Sequence, residues 1–165
     1  MCPGYLRIRL PYEEALKRFA KSRGLAYPLD LVPCESSAAV SAACDKNGNW
    51  RGAAVYISDL GEWTLFYDLS GHLGGVAAED WLKLAGNDEL VFASYNDSIS
   101  CGELVVIENG KVLREFLDIS EDPDANVNRG KLDHECEPIT SWIEVASFVD
   151  EDELGFSENG SLLIY

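Results

Sequence analysis

A chain of 165 residues with 47% hydrophobic side chains fits one domain and can bury a core large enough to fold unaided. Its 29 acidic residues against 13 basic ones give a net charge of −16, a field that repels nucleic-acid phosphates and anionic lipid and attracts a basic partner or cations. Free nucleic acid and a membrane surface are thereby disfavoured as ligands.

The charge is unevenly spread: residues 1–33 carry six basic and three acidic side chains, net +3, leaving −19 on the remainder. Cys2, Cys34, Cys44, Cys101 and Cys136 are an odd number with no C-x-x-C pair, the usage of reduced thiols in a cytosol. The start, MCPGYLRIRLP, has no long apolar run of the kind a signal peptide needs. Nowhere is there a run of about 18 apolar residues for a membrane span. The expectation is a soluble, cytoplasmic protein.

Along the chain, Leu6, Ile8 and Leu10 alternate with Arg7 and Arg9, predicting either a short strand with one wet side or an extended arm. Pro11 suits a first helical position. From there Tyr12, Ala15, Leu16, Phe19 and Ala20 recur at helical spacing up to a terminating Gly24. Glu13 with Lys17, and Glu14 with Arg18, stand four apart in the favourable order on the outer face of this helix.

Leu25 to Glu35 contains two prolines and reads as a connection. Ser36–Cys44 and Trp50–Ser58 flank Asp45-Lys46-Asn47-Gly48-Asn49, which predicts a hairpin, although the small residues around Ala38 to Ala43 are poor strand formers. Gly61 to Asp68, GEWTLFYD, has bulk on both faces and reads as a central strand. A loop containing Gly71, Gly74 and Gly75 precedes a short helix over Val76–Ala85, closed by Gly86 and Asn87.

Asp88 to Asp118 holds three apolar-rich segments and no helical period, and reads as an antiparallel meander. Asn109-Gly110 supplies the two positive φ values of a type I′ turn, so Gly102–Ile107 and Lys111–Leu117 are expected to pair. Glu115 to Glu137, with EDPDANVNRG at its centre, is acidic enough to argue against regular structure. Pro138 is placed to open a last helix through Ile139, Trp142, Ile143, Ala146 and Val149, with a strand as the alternative; Gly160–Tyr165 is placed as an edge strand. The sum is an α+β domain, a mainly antiparallel sheet of about six to eight strands packed with about three helices, since regular β-α-β alternation is missing.

No recognisable catalytic motif stands out. Asp133-His134-Glu135-Cys136 puts four ligand types in a row, but neighbours on an extended chain point to opposite sides, so at most two of them face one metal. A Cys-His site needs His72 or His134 beside a cysteine, which nothing local enforces. Gly71-His72-Leu73-Gly74-Gly75 lacks the phosphate-loop lysine and is followed by Glu79 and Asp80, so it reads as a turn. Trp63, Trp81 and Trp142 sit at positions that face a core, whereas Trp50, at the loop, is expected to be exposed. From Glu115 onward there are fourteen acids against Arg129 and Lys131, a crowding that points either to a solvated face or to a basic partner.

The succession PYEEALKRFA, GEWTLFYDLSGHLGG, ELVVIENGKVLREF, a long acidic loop and a terminal helix resembles small cytosolic immunity proteins that bacteria encode beside polymorphic or type VI secreted toxins. The resemblance implies a non-enzymatic, cofactor-free protein that binds a cognate toxin domain, one with a basic active-site surface, and occludes that site. The contact surface is then expected on the acidic loop and the segment after it: Asp118, Glu121, Asp122, Asp124, Asp133, Glu135, Glu137, Asp150, Glu151, Asp152 and Glu153. Two other classes stay open: an acidic DNA mimic that inhibits a nucleic-acid-binding protein, and a small Cys/His-dependent enzyme or metalloprotein.

Overall fold

The computed structural model describes residues 4–133, 138–150 and 157–165. In chain order the elements are β1 (Gly4–Ile8), α1 (Tyr12–Ser22), β2 (Val32–Glu35), α2 (Ser36–Ala43), β3 (Ala54–Asp59), β4 (Thr64–Asp68) and α3 (Ala78–Ala85). Then follow β5 (Leu90–Asn96), β6 (Cys101–Glu108), β7 (Lys111–Ile119), a 3-10 turn (Pro123–Ala125), β8 (Val127–Gly130), α4 (Trp142–Asp150) and β9 (Asn159–Ile164). All nine strands join one open antiparallel sheet, in the order β2-β9-β3-β4-β1-β5-β6-β7-β8. The architecture is α+β, as expected, with one strand and one helix more among the described residues.

Strand alternation sorts side chains onto two faces. Leu6, Ile8, Ile57, Phe66, Phe92, Val105 and Ile107 meet Leu16 and Phe19 of α1 and Trp81 and Leu84 of α3; Phe19 stacks on Phe66 and Trp81 on Phe92. The opposite face is covered in two parts. Val145 of α4 packs on Tyr5, Leu65, Ala93, Leu104 and Phe116, and Ala39 and Ala43 of α2 pack on Ala54, Tyr56 and Leu162.

The meander forms as its turn chemistry requires. Asn109 and Gly110 have φ of 51° and 70°, and Glu108 pairs with Lys111 and Ile107 with Val112, before a bulge shifts the register. Helix α1 also holds, with Pro11 at the cap position instead of inside the helix. Its end is a Schellman motif: Gly24, at φ 67°, donates to the Lys21 carbonyl and Leu25 to that of Ala20. Arg18 bonds Glu14 at 3.0 Å, whereas Glu13 accepts the Tyr27 hydroxyl at 2.8 Å.

Several expectations are corrected. The Arg7 side of β1 is largely covered, since β1 lies between β4 and β5, Tyr5 is 4% exposed and the Arg7 guanidinium stacks over the Tyr5 and Trp63 rings, whereas Arg9, just past the strand, is exposed as expected. Ser36–Ala43 is helical instead of extended, because alanine is a good helix former and its small side chain lets the helix sit close on the sheet. The Asp45 turn, with Gly48 at φ 83°, therefore joins a helix to a strand. Val32–Glu35, expected as connection, is an edge strand paired with β9, which puts β9 inside the sheet instead of at its edge.

The acidic stretch after Glu115 is also ordered as far as Gly130, by β7, the 3-10 turn and β8. Its anchor is Arg114, 1% exposed, which donates to Asn128 Oδ1 at 2.8 Å and to the carbonyls of Arg129 at 3.1 Å and Ile139 at 3.0 Å. Pro138 does not open the last helix. Ser141 does, in a Ser-x-x-Glu capping box: Ile143 N–H donates to Ser141 Oγ, and Ser141 N–H donates to Glu144 at 2.8 Å.

Candidate functional site

Three chain segments converge at the end of the sheet where β6 begins. The β5–β6 turn is joined to the end of β7 by Ser120, whose N–H and hydroxyl both donate to the Ser100 carbonyl, at 3.2 and 3.0 Å. The start of α4 lies directly on Gly102, where a Cβ would stand 2.8 Å from the Trp142 Cα. Asp118 ties the second segment to the third: one carboxylate oxygen accepts the Trp142 N–H at 2.9 Å and the other the Asn126 side-chain amide at 3.0 Å. It thus caps the helix, a favourable place for a negative charge.

Residues 97–101, 117–126 and 139–147, brought together here, carry six carboxylates (Asp97, Asp118, Glu121, Asp122, Asp124 and Glu144) and no Lys or Arg. Glu121, Asp122 and Asp124 are exposed around the 3-10 turn. Hydrogen bonds from the Ser141 hydroxyl, then from backbone N–H groups, hold Glu144 below the usual carboxylate range, so it is ionised at neutral pH. The corner also presents Ile99, 47% exposed, and Ile143, 58% exposed, two of the five large apolar side chains most open to solvent among the described residues.

Those of the anticipated acids that lie among the described residues do not form one patch. β8 runs back along β7, from Val127 opposite Leu117 to Gly130 opposite Arg114. Leu132 then lines a cleft of about 130 Å³ with Arg7, Ile107, Glu108 and Phe148, at the other end of β6. Asp133, exposed, follows it there, and Asp150 ends α4 beyond Phe148, away from the corner. Glu135, Glu137, Glu151, Asp152 and Glu153 lie outside the described residues, as does His134. Asp97, Ile99, Ile143 and Glu144 were not anticipated. The Ser-x-x-Glu pattern marks Glu144; nothing local marks the others.

The other chemical candidates are placed as follows. His72 is exposed and shares a hydrogen bond with the Ser70 hydroxyl. Its loop is a turn built on Asp68, a buried carboxylate that accepts the N–H groups of Gly71 at 2.8 Å and Leu73 at 2.7 Å. Cys34, Cys44 and Cys101 form no disulfide among the described residues, and no three His, Cys, Asp or Glu side chains there stand close enough to hold a metal ion. Trp81 is buried and Trp50 is 38% exposed. No helix of the described residues is long and apolar enough to cross a membrane.

No protein-family profile, curated protein or solved structure matches this chain.

Proposed function

We propose that this chain is an immunity protein: it binds a cognate toxin domain through the corner formed by the β5–β6 turn, the 3-10 turn and the start of α4, and covers the toxin's active site without chemistry of its own. The observation that supports this reading is the pairing of six carboxylates and no cation with two exposed isoleucines. Interface energy concentrates in a few apolar anchors, while rim charges set encounter rate and partner choice. Ile99 and Ile143 have the anchor's chemistry, and Glu121, Asp122 and Asp124 that of the rim. A toxin site that handles a phosphorylated or nucleotide substrate is basic and complements such a surface.

The test is co-expression and co-purification with the toxin domain encoded beside the gene. Wild-type protein protects the cell and forms a stoichiometric complex. Glu121→Lys, Asp122→Lys and Asp124→Lys together slow association by at least about tenfold and weaken its salt dependence. Ile143→Ala costs about 1 to 2 kcal/mol of affinity, mainly through faster dissociation. Neither protection nor a complex with wild-type protein would end this reading.

A further inference from the structure

On the other face, α1 and α3 border an open groove of about 1230 Å³, with Lys17, Lys21 and Lys83 on its rim and Leu25 and Tyr27 on its wall. The cations there differ in state. Arg18 is committed to the fold: it bonds Glu14, Asp88 and the Ala85 carbonyl at the end of α3. Lys83 is held by Asp80 at 2.6 Å. Lys17 and Lys21 are exposed, one helical turn apart, and meet no carboxylate among the described residues. Like charges four residues apart on a helix repel each other. Among the described residues no carboxylate compensates this pair, and an anion brought between them would relieve the repulsion.

We propose that this groove binds an acidic peptide segment of a partner protein, its carboxylates meeting Lys17 and Lys21 and an apolar side chain lying on Leu25 and Tyr27. Tyr27 is 44% exposed, which gives the wall an apolar surface that a small inorganic anion would leave unused. A nucleic acid gains affinity by neutralising many phosphates in succession, and two open lysines on a chain of net charge −16 offer too few contacts. A second copy of the chain would add its own −16. At physiological salt, acids beyond about 8 Å are screened, so the ligand responds to the groove's lining more than to the total charge. The groove and the acidic corner do not compete: the Gly110 turn, at the far end of β6 from the corner, touches the groove's rim at Asn87. This inference is independent of the toxin partner.

The experiment is fluorescence anisotropy of a short fluorescein-labelled Glu-rich peptide carrying one leucine, titrated with the full chain. Wild-type protein should bind it, and Lys17→Glu with Lys21→Glu should weaken binding at least about tenfold. Lys46→Glu with Lys131→Glu, which changes the total charge equally but at exposed sites outside the groove, should leave binding within about twofold. Thermal melts of both double variants verify folding. No binding by wild-type protein, equal loss in the two double variants, or tighter Lys17- and Lys21-dependent binding of single-stranded DNA would each overturn the proposal.

Discussion

Replacing Glu103 with glutamine should make the protein more stable above neutral pH and leave it unchanged in acid. Glu103 lies on β6, 8% exposed, and accepts the Gly75 N–H at 2.9 Å. Burial outweighs that bond and pushes its pKa from 4.5 up to about 7. Because the folded state holds the proton more tightly than the unfolded chain, the stability it confers is complete below pH 4.5 and is lost as pH rises through 7. At about 1.36 kcal/mol per pK unit, the ionised side chain costs the fold about 3 kcal/mol by pH 8. Glutamine keeps an oxygen for Gly75 and never ionises. Urea unfolding followed by tryptophan fluorescence at pH 4, 6 and 8 measures this directly. The variant should match wild type at pH 4 and exceed it by about 3 kcal/mol at pH 8; the other carboxylates, common to both proteins, cancel in the difference. Parallel pH profiles for the two proteins would refute the buried, proton-holding state of Glu103.

Two further substitutions test what holds the acidic corner. Arg114→Leu removes the donors that satisfy Asn128 and the Arg129 and Ile139 carbonyls, and should cost about 3 kcal/mol in urea unfolding, with β8 losing amide-exchange protection before β5 does. Gly102→Ala sets a methyl 2.8 Å from the Trp142 backbone; it should cost about 1 to 3 kcal/mol, red-shift the tryptophan emission as α4 lifts, and weaken toxin binding more than its effect on stability explains.

Where order arises from neighbouring residues, the sequence shows it. Asn109-Gly110 sets φ, hence the turn, hence the pairing of Ile107 with Val112. The apolar spacing of α1 and the glycine after it likewise act over a few residues. Ser36–Ala43 is ambiguous in the sequence because a run of alanine, serine and valine has no marked period; only the sheet beneath Ala39 and Ala43 shows which face is buried. The place of β9 is hidden for a different reason. Its partners Ile57 and Val32 are more than a hundred residues away, and a short apolar segment does not say whether one edge or both will be paired. β8 has poor strand formers in Asn128 and Gly130, and Arg114, reaching across from β7, supplies bonds that propensity does not count.

The same contrast between local and long-range order governs the candidate site. Charge along the chain identifies an acidic C-terminal half but gives no position in space, so Asp118 to Glu137 reads as one acidic loop. An antiparallel return changes that: going out along β7 and back along β8 puts the 3-10 turn at one end of the sheet and Asp133 toward the other. What the fold assembles instead are acids distant in sequence, Asp97, Glu121 and Glu144, because the β5–β6 turn, the end of β7 and the capping box of α4 abut through Ser100, Ser120 and Gly102. Asp118 positions that corner by capping α4, while the carboxylates of Glu121, Asp122 and Asp124 and the two isoleucines around it are exposed. Charge reversal at Glu121, Asp122 and Asp124 therefore changes association and spares stability, whereas loss of Asp118 affects both. That difference separates a binding surface from a merely solvated acidic face.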